Sequence, residues 1–339
     1  MKKKILFIIT ISFFITISLF FIFESNKENI QLSLNTPREI NKELKLYKSI
    51  SFKKRLSLMK ENNDNLFFVC WENGEQGKLY NYDLIRNQLK KYDFNKNDSL
   101  FIIGDFLLEN NFIFLHDKLK NRIIKINLNN PKEYKNVYNY PKDFTRLGKA
   151  DNNFIISGWD KNYNIFFEKY SLDKDSISRI SVSDSYLNKY KKTGISLDGK
   201  YYTNNTNTVM IPYSVNKIFK FDKNLNYINS IDLIYGETEF KFRENDKTNI
   251  YTDPNNLNPN LSGFLSSKNY LYILTDESTQ FNTMNKCFID IYDVNNNKYL
   301  ESFKINDFNQ KKPRYITMYN DYILILFDNN LNFYKIEKK

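Results

Sequence analysis

Six times along this chain an Asn or Asp is followed by a short, mostly apolar run that ends on a polar or aromatic residue. The phrases are Asn65 with LFFVCW, Asn111 with FIFLHD, Asn153 with FIISGW, Asn207 with TVMIPY, Asn269 with YLYILT and Asp321 with YILILF. Their starts lie about 46, 42, 54, 62 and 52 residues apart, the length of one four-stranded blade plus its loops. A unit of this size cannot bury its apolar faces alone, so the repeat predicts an all-β chain folded as a six-bladed β-propeller.

The stretches around the phrases carry the matching hairpin signals. Residues 217–231 alternate apolar and polar positions on both sides of an Asp-Lys-Asn-Leu-Asn turn. Similar hairpins begin at Leu79, Phe167 and Phe288. Asp and Asn suit such turns because their side chains bond the local backbone and tolerate left-handed conformations. The last unit shows three strands, at 314–319, 322–327 and 331–336, and a spare strand at 45–52 precedes the first unit. That segment is expected to close the ring as the outer strand of the sixth blade, which removes an unpaired edge.

Composition supports this architecture and excludes others. Of the 339 residues, 41% are hydrophobic and 17% aromatic, with 29 Phe and 25 Tyr against only 9 Gly. That usage suits pleated, half-buried strands and not a helical or nucleotide-cradling protein. The formal net charge of +11 is scattered among acids without a basic run, so nucleic acid is not an expected partner. Lys2, Lys3 and Lys4 precede an apolar run from Ile5 to Phe23, long enough to span a bilayer and followed by no small-residue cleavage site. Residues 1–23 therefore read as a transmembrane signal anchor, 24–44 as a stalk and 45–339 as the propeller. The flanking lysines place the body outside the cytoplasm, on an inner-membrane anchor in a bacterial envelope. Cys70 and Cys287, the only cysteines, fall on strands of non-adjacent blades and are expected to be buried and unpaired.

Over residues 45–339 these units resemble six-bladed propellers of the NHL and TolB-like kind, and in particular the membrane-anchored propellers of Bacteroidota envelopes. The resemblance implies a ring scaffold and an envelope location, and brings no catalytic signature.

Six residues on from each phrase start lie Trp71, Asp117, Trp159, Tyr213, Thr275 and Phe327. Equivalent turns share one face of a propeller. The mostly aromatic set therefore reads either as wedges between blades or as a ligand rim. His116, the single histidine, stands beside Asp117. Propeller lyases of the streptogramin type use histidines from several blades, which this chain lacks. Six-bladed lactonases hold a divalent ion in the channel; no compact ligand motif is present, so no cofactor is expected and channel calcium is the minor alternative. The long insertion at 236–260 carries Phe240, Phe242, Arg243 and Glu244, enough for an adhesive tip. The reading is a noncatalytic scaffold or sensor that holds an envelope protein, peptide or glycan on one propeller face. A metal-dependent hydrolase or lyase with a channel site is the alternative.

Overall fold

The computed structural model describes residues 12, 15–18, 38–70, 78–92, 102–190, 192–234, 240, 242–245, 249–252, 259–276, 287–305 and 312–338. At 132–135, 242–245, 249–252 and 338 only the backbone is described.

Six antiparallel four-stranded sheets follow one another along the chain. The first described strand along the chain is β1 (Lys42–Ser51), which precedes blade one. Blade one is β2 (Leu56–Asn62), β3 (Asn65–Cys70), β4 (Lys78–Asp83) and β5 (Gln88–Lys91). Blade two is β6 (Ile103–Glu109), β7 (Phe112–Asp117), β8 (Arg122–Asn127) and β9 (Asn130–Asn139). Blade three is β10 (Arg146–Ala150), β11 (Asn153–Trp159), β12 (Ile165–Ser171) and β13 (Ser176–Arg179). After two short helices, α1 (Ser185–Lys189) and α2 (Thr193–Ser196), blade four is β14 (Gly199–Thr203), β15 (Asn207–Pro212), β16 (Lys217–Asp222) and β17 (Tyr227–Asp232). A separate two-stranded hairpin, β18 (Phe242–Asn245) with β19 (Asn249–Thr252), occupies the long insertion. Blade five is β20 (Asn260–Leu265), β21 (Tyr270–Asp276), β22 (Cys287–Asp293) and β23 (Lys298–Lys304). Blade six is β24 (Pro313–Tyr319), β25 (Tyr322–Phe327) and β26 (Asn330–Lys338), with β1 as its fourth strand.

Each of the six phrases is the second strand of a blade, and at the start of five of them the turn holds a left-handed Asn or Asp. Asn63, Asn110, Asp151, Asn269 and Asn320 have φ between 47° and 64°. They sit in the turns between first and second strands, in the left-handed region that Asn and Asp tolerate better than other side chains. The strands that follow are buried on both faces, because a blade is covered by a neighbour on each side. Ile323, Leu324, Ile325 and Leu326 of β25 are all fully buried.

Six apolar cores fill the spaces between successive blades. Between blades five and six, for instance, Ile289 and Phe303 meet Ile316, Ile325 and Phe327. Between blades six and one, Leu324 and Leu331 meet Leu56, Leu66 and Phe68. Cys70 and Cys287 are buried and not joined in a disulfide, in the cores on opposite sides of blade six.

The strand β1 runs antiparallel to β26, from Lys42 opposite Lys338 to Ser51 opposite Asn330. The four residues before it already belong to the folded body. Arg38 is buried against Asp290 of β22 at 2.9 Å, with its guanidinium 4.0 Å from the centre of the Phe288 ring. The Glu39 carbonyl accepts the Ser302 N–H. Of the apolar run 5–23, only Ser12 and residues 15–18 are described, as helix. No helix among the described residues is long and apolar enough to cross a membrane.

Candidate functional site in the central channel

The inner strands β2, β6, β10, β14, β20 and β24 stand side by side around the propeller axis. They enclose a pocket of about 400 Å³ to which every blade contributes. Its lining includes Lys60 and Glu61 of β2, Asp105 of β6, Lys149 of β10, Lys200 of β14 and Tyr315 of β24. Asp151, Asn204 and Asn205, which also line it, lie in turns between first and second strands. The pocket therefore opens on the face of those turns. Of the positions counted six on from each phrase, Asp117, Trp159, Tyr213, Thr275 and Phe327 lie at the opposite ends of the second strands, towards the other face.

Period-two alternation decides what each inner strand presents. In β14, Tyr201 is buried in the core between blades three and four. Its neighbours Lys200 and Tyr202 point to the other side of the strand, Tyr202 against the core between blades four and five, and all three residues line the pocket. Gly199 precedes them because β14 and β15 approach closely there: a Cβ would meet the Ile211 carbonyl oxygen at 2.1 Å.

Charge is concentrated at the inner end of the pocket. Asp105 is 3% exposed, accepts the Phe106 N–H at 2.7 Å and lies 3.3 Å from the Lys60 ammonium. Burial works to raise its pKa, but Lys60, Lys200 and Arg146 outweigh that and hold the carboxyl below its ordinary value. Arg146 pairs with Asp198 at 2.6 Å and places its guanidinium 5.4 Å from the centre of the Tyr213 ring. Lys200 is 8% exposed and lies 4.0 Å from the centre of the Tyr315 ring. Burial, with Arg146 and Lys60 acting in the same sense, brings its pKa down to about 7, against the pull of Asp105 and Asp198. At the rim Lys149 pairs with Glu109 at 2.5 Å. Burial and the nearby Asp64 raise Glu61 to about 7.

The residues singled out in the sequence are dispersed. His116 is fully buried and stacked on Phe144 with 3.9 Å between ring centres, and neither ring nitrogen has a hydrogen-bond partner. Burial brings its pKa down to about 3. Asp117 is fully buried and accepts from Arg122 at 2.8 Å. Phe327 is 2% exposed in the core between blades five and six. Thr275 is buried and bonds Asp290. Tyr213 packs on the Arg146–Asp198 pair beside the channel. Trp159 is 40% exposed and rests on Gly194 of α2, where a Cβ would lie 2.3 Å from its own. Trp71 lies outside the described residues, as does the side chain of Arg243. Phe240 is buried and so adds nothing to an exposed tip.

Lys60, Asp105 and Lys200 were not singled out in the sequence, because they belong to first strands, which share no common phrase. The available signal was a charge set among apolar neighbours, as in Ile-Gly-Asp-Phe-Leu-Leu around Asp105. Among the described residues no group of three or more His, Cys, Asp or Glu side chains could hold a metal ion. The deepest channel carboxylate, Asp105, faces Lys60, Lys200 and Arg146, so this donor set does not fit calcium.

A six-bladed propeller with a charged axial pocket is thus what the fold and the site define. No protein-family model matches the chain, and no curated protein matches it in sequence. Solved structures do share its fold. A member of the DUF4221 family from Bacteroides vulgatus superposes with a TM-score of 0.59 at 11% identity, over 89% of this chain and 100% of that one. A Bacteroides fragilis protein titled "Putative exported protein" gives a TM-score of 0.53 at 12% identity, over 88% and 96% of the two chains. A catalytically inactive virginiamycin B lyase from Staphylococcus aureus, with quinupristin, gives 0.50 at 8% identity, over 86% and 99%.

Proposed function

We propose that this chain is a noncatalytic ligand-binding propeller of a bacterial envelope, and that its ligand enters the axial pocket from the face of the turns between first and second strands. One observation carries the reading: residues of all six inner strands converge on one concave site of about 400 Å³ with charged groups at its inner end. Concave sites with a few convergent polar groups are where small ligands bind. The envelope location rests on Lys2, Lys3 and Lys4 before the apolar run 5–23, with the body outside the cytoplasm on that anchor. The exported neighbour from Bacteroides fragilis is in keeping with it.

A lyase like the Staphylococcus aureus neighbour is the less favoured reading. The single histidine, His116, is fully buried with no polar partner, so it has no route to a substrate. Binding of a protein, peptide or glycan on the opposite face retains one specific support, the half-exposed indole of Trp159.

The test is thermal unfolding of the full chain with a panel of small neutral, anionic and cationic metabolites, alongside the pocket-blocking variant Thr203→Trp. Thr203 is exposed at the pocket mouth, so the variant is expected to fold. A ligand that raises the melting temperature of the native chain and not of the blocked one supports the reading. Stabilisation by no member of the panel, or equal stabilisation of both chains, counts against it.

A further inference from the structure

We infer that the inner end of the pocket is an oxyanion site, in which the Lys200 ammonium donates to a carboxylate, sulfate or phosphate group of the ligand. The inference rests on the pocket reading above and names its ligand's chemistry.

Among the described residues Lys200 is the cation in this cluster with no ion-pair partner, while Lys60 and Arg146 each have one, the Arg146 Nε alone being left without a hydrogen bond. The charged groups that face it are Lys60 from β2, Asp105 from β6, Arg146 from β10 and Asp198 just before β14. From β24 it meets the face of the Tyr315 ring. Both carboxylates pair with other cations, although the buried Asp198 Oδ1 accepts no hydrogen bond. Asp105 takes Lys60 at 3.3 Å and the Phe106 N–H at 2.7 Å. Asp198 takes Arg146 at 2.6 Å. Three cations therefore face two carboxylates, and Lys200 is the one left over. An aromatic face stabilises an ammonium electrostatically but offers no lone pair to its N–H groups.

A buried ammonium with three donors and no acceptor costs free energy that an oxyanion would recover. A neutral polar ligand would satisfy the donors but leave the surplus positive charge uncompensated. A cation is opposed by Lys60, Lys200 and Arg146 together. Lys60 adds its field to the same end of the pocket, while the acids Glu61, Glu109 and Asp151 stand nearer its mouth. The depressed pKa of Lys200 agrees with a site missing its counter-charge.

The experiment is calorimetric titration of the full chain with sulfate and with acetate, neither of which titrates in the range used, at about pH 6 and about pH 8.5. Lys200 is mostly charged at the lower pH and mostly neutral at the higher, so affinity is expected to fall by about tenfold or more between them. At the higher pH binding takes up a proton, seen as a heat that varies with the buffer's ionisation enthalpy. Lys200→Arg, charged at both pH values, should bind with no such pH dependence, and Lys200→Met should lose binding. Lys174→Gln, exposed and outside the pocket lining, should behave as the native chain.

Preference for sulfate over acetate assigns a phosphate-like group, and the reverse a carboxylate. Absence of binding by both probes, an undiminished affinity in Lys200→Met, or a native pH dependence in Lys200→Arg overturns the inference. Glu61, raised to about 7 at the mouth of the same pocket, would also take up a proton as an anion binds, so the uptake is measured in Glu61→Gln as well. Uptake that persists there belongs to Lys200 even where a Lys200 variant fails to fold, and uptake that vanishes there overturns the inference. If neutral ligands stabilise the chain in a way that Thr203→Trp blocks, while oxyanions do not bind, this inference falls and the pocket reading stands. If nothing binds in a way Thr203→Trp blocks, both fall.

Discussion

The Lys200 ammonium lies 4.0 Å from the centre of the Tyr315 ring, although the two residues belong to blades four and six, which share no interblade core. The contact reaches across the channel behind blade five. It joins the charge that the pocket leaves unbalanced to the aromatic face that keeps that charge tolerable in a dry place.

The stability of the ligand-free chain should depend on Lys200. Its pKa is about 7 in the folded state and near 10.5 in the unfolded chain. Between those values the unfolded chain holds the extra proton, so stability rises with pH across this window and is lowest below about pH 7. The slope from this group approaches about 1.4 kcal/mol per pH unit at most. Urea midpoints at pH values from about 6.5 to 9.5 should climb in the native chain more than in Lys200→Met. Parallel profiles would show that Lys200 keeps an ordinary pKa.

His116 should govern the acid side. Burial holds its pKa at about 3, against 6.5 for a free imidazole, so the unfolded chain binds the proton first as pH falls. Stability is then lost from about pH 6.5 downwards. In His116→Phe the ring stacked on Phe144 is kept and two unpartnered buried nitrogens are removed. The variant should unfold at lower pH than the native chain and gain about 1 kcal/mol near neutrality. Acid titration by circular dichroism checks it, and a loss of stability at neutral pH would point to a hydrogen-bonding role for the imidazole.

The ring could be read from the sequence because the turn before five of the six second strands holds a left-handed residue. Asn63, Asn110, Asp151, Asn269 and Asn320 supply it, and the doubly buried strand behind each gives an apolar run of constant length. The pocket could not be read in this way. Lys60, Asp105 and Lys200 are separated by whole blades and meet only because the inner strands curve round one axis. Counting six along each phrase finds equivalent places at strand ends, but local turns aim those side chains differently. Asp117 turns in to Arg122, Phe327 into a core and Trp159 out over α2.

Phe327 separates the two readings of that set. A ring 2% exposed between blades five and six is a packing element, and Phe327→Ala should cost about 3–5 kcal/mol. Chemical denaturation measures this directly. A cost below about 1 kcal/mol would mean that the ring is not packed as described.

Arg38 should matter more than a residue at the edge of a stalk. It is buried with Asp290, which also accepts from Thr275 and Ser302. In Arg38→Ala the carboxylate keeps its burial and loses its counter-ion, a change worth about 3–5 kcal/mol. Thermal melts of Arg38→Ala and of Arg38→Ala with Asp290→Asn should show partial recovery in the double variant, because the stranded charge is gone.

The pairing of Lys42 with Lys338 has a consequence for how the chain is made. The ribosome delivers β1 before the first five blades and β26 after them, so β1 waits for its partner through the synthesis of all five. Blades one to five can form as they emerge, but the sixth cannot be completed until β26 has been made. A product that stops before Asn330 is left with an orphaned first strand and an open ring. Such a fragment exposes a strand edge that the closed ring covers.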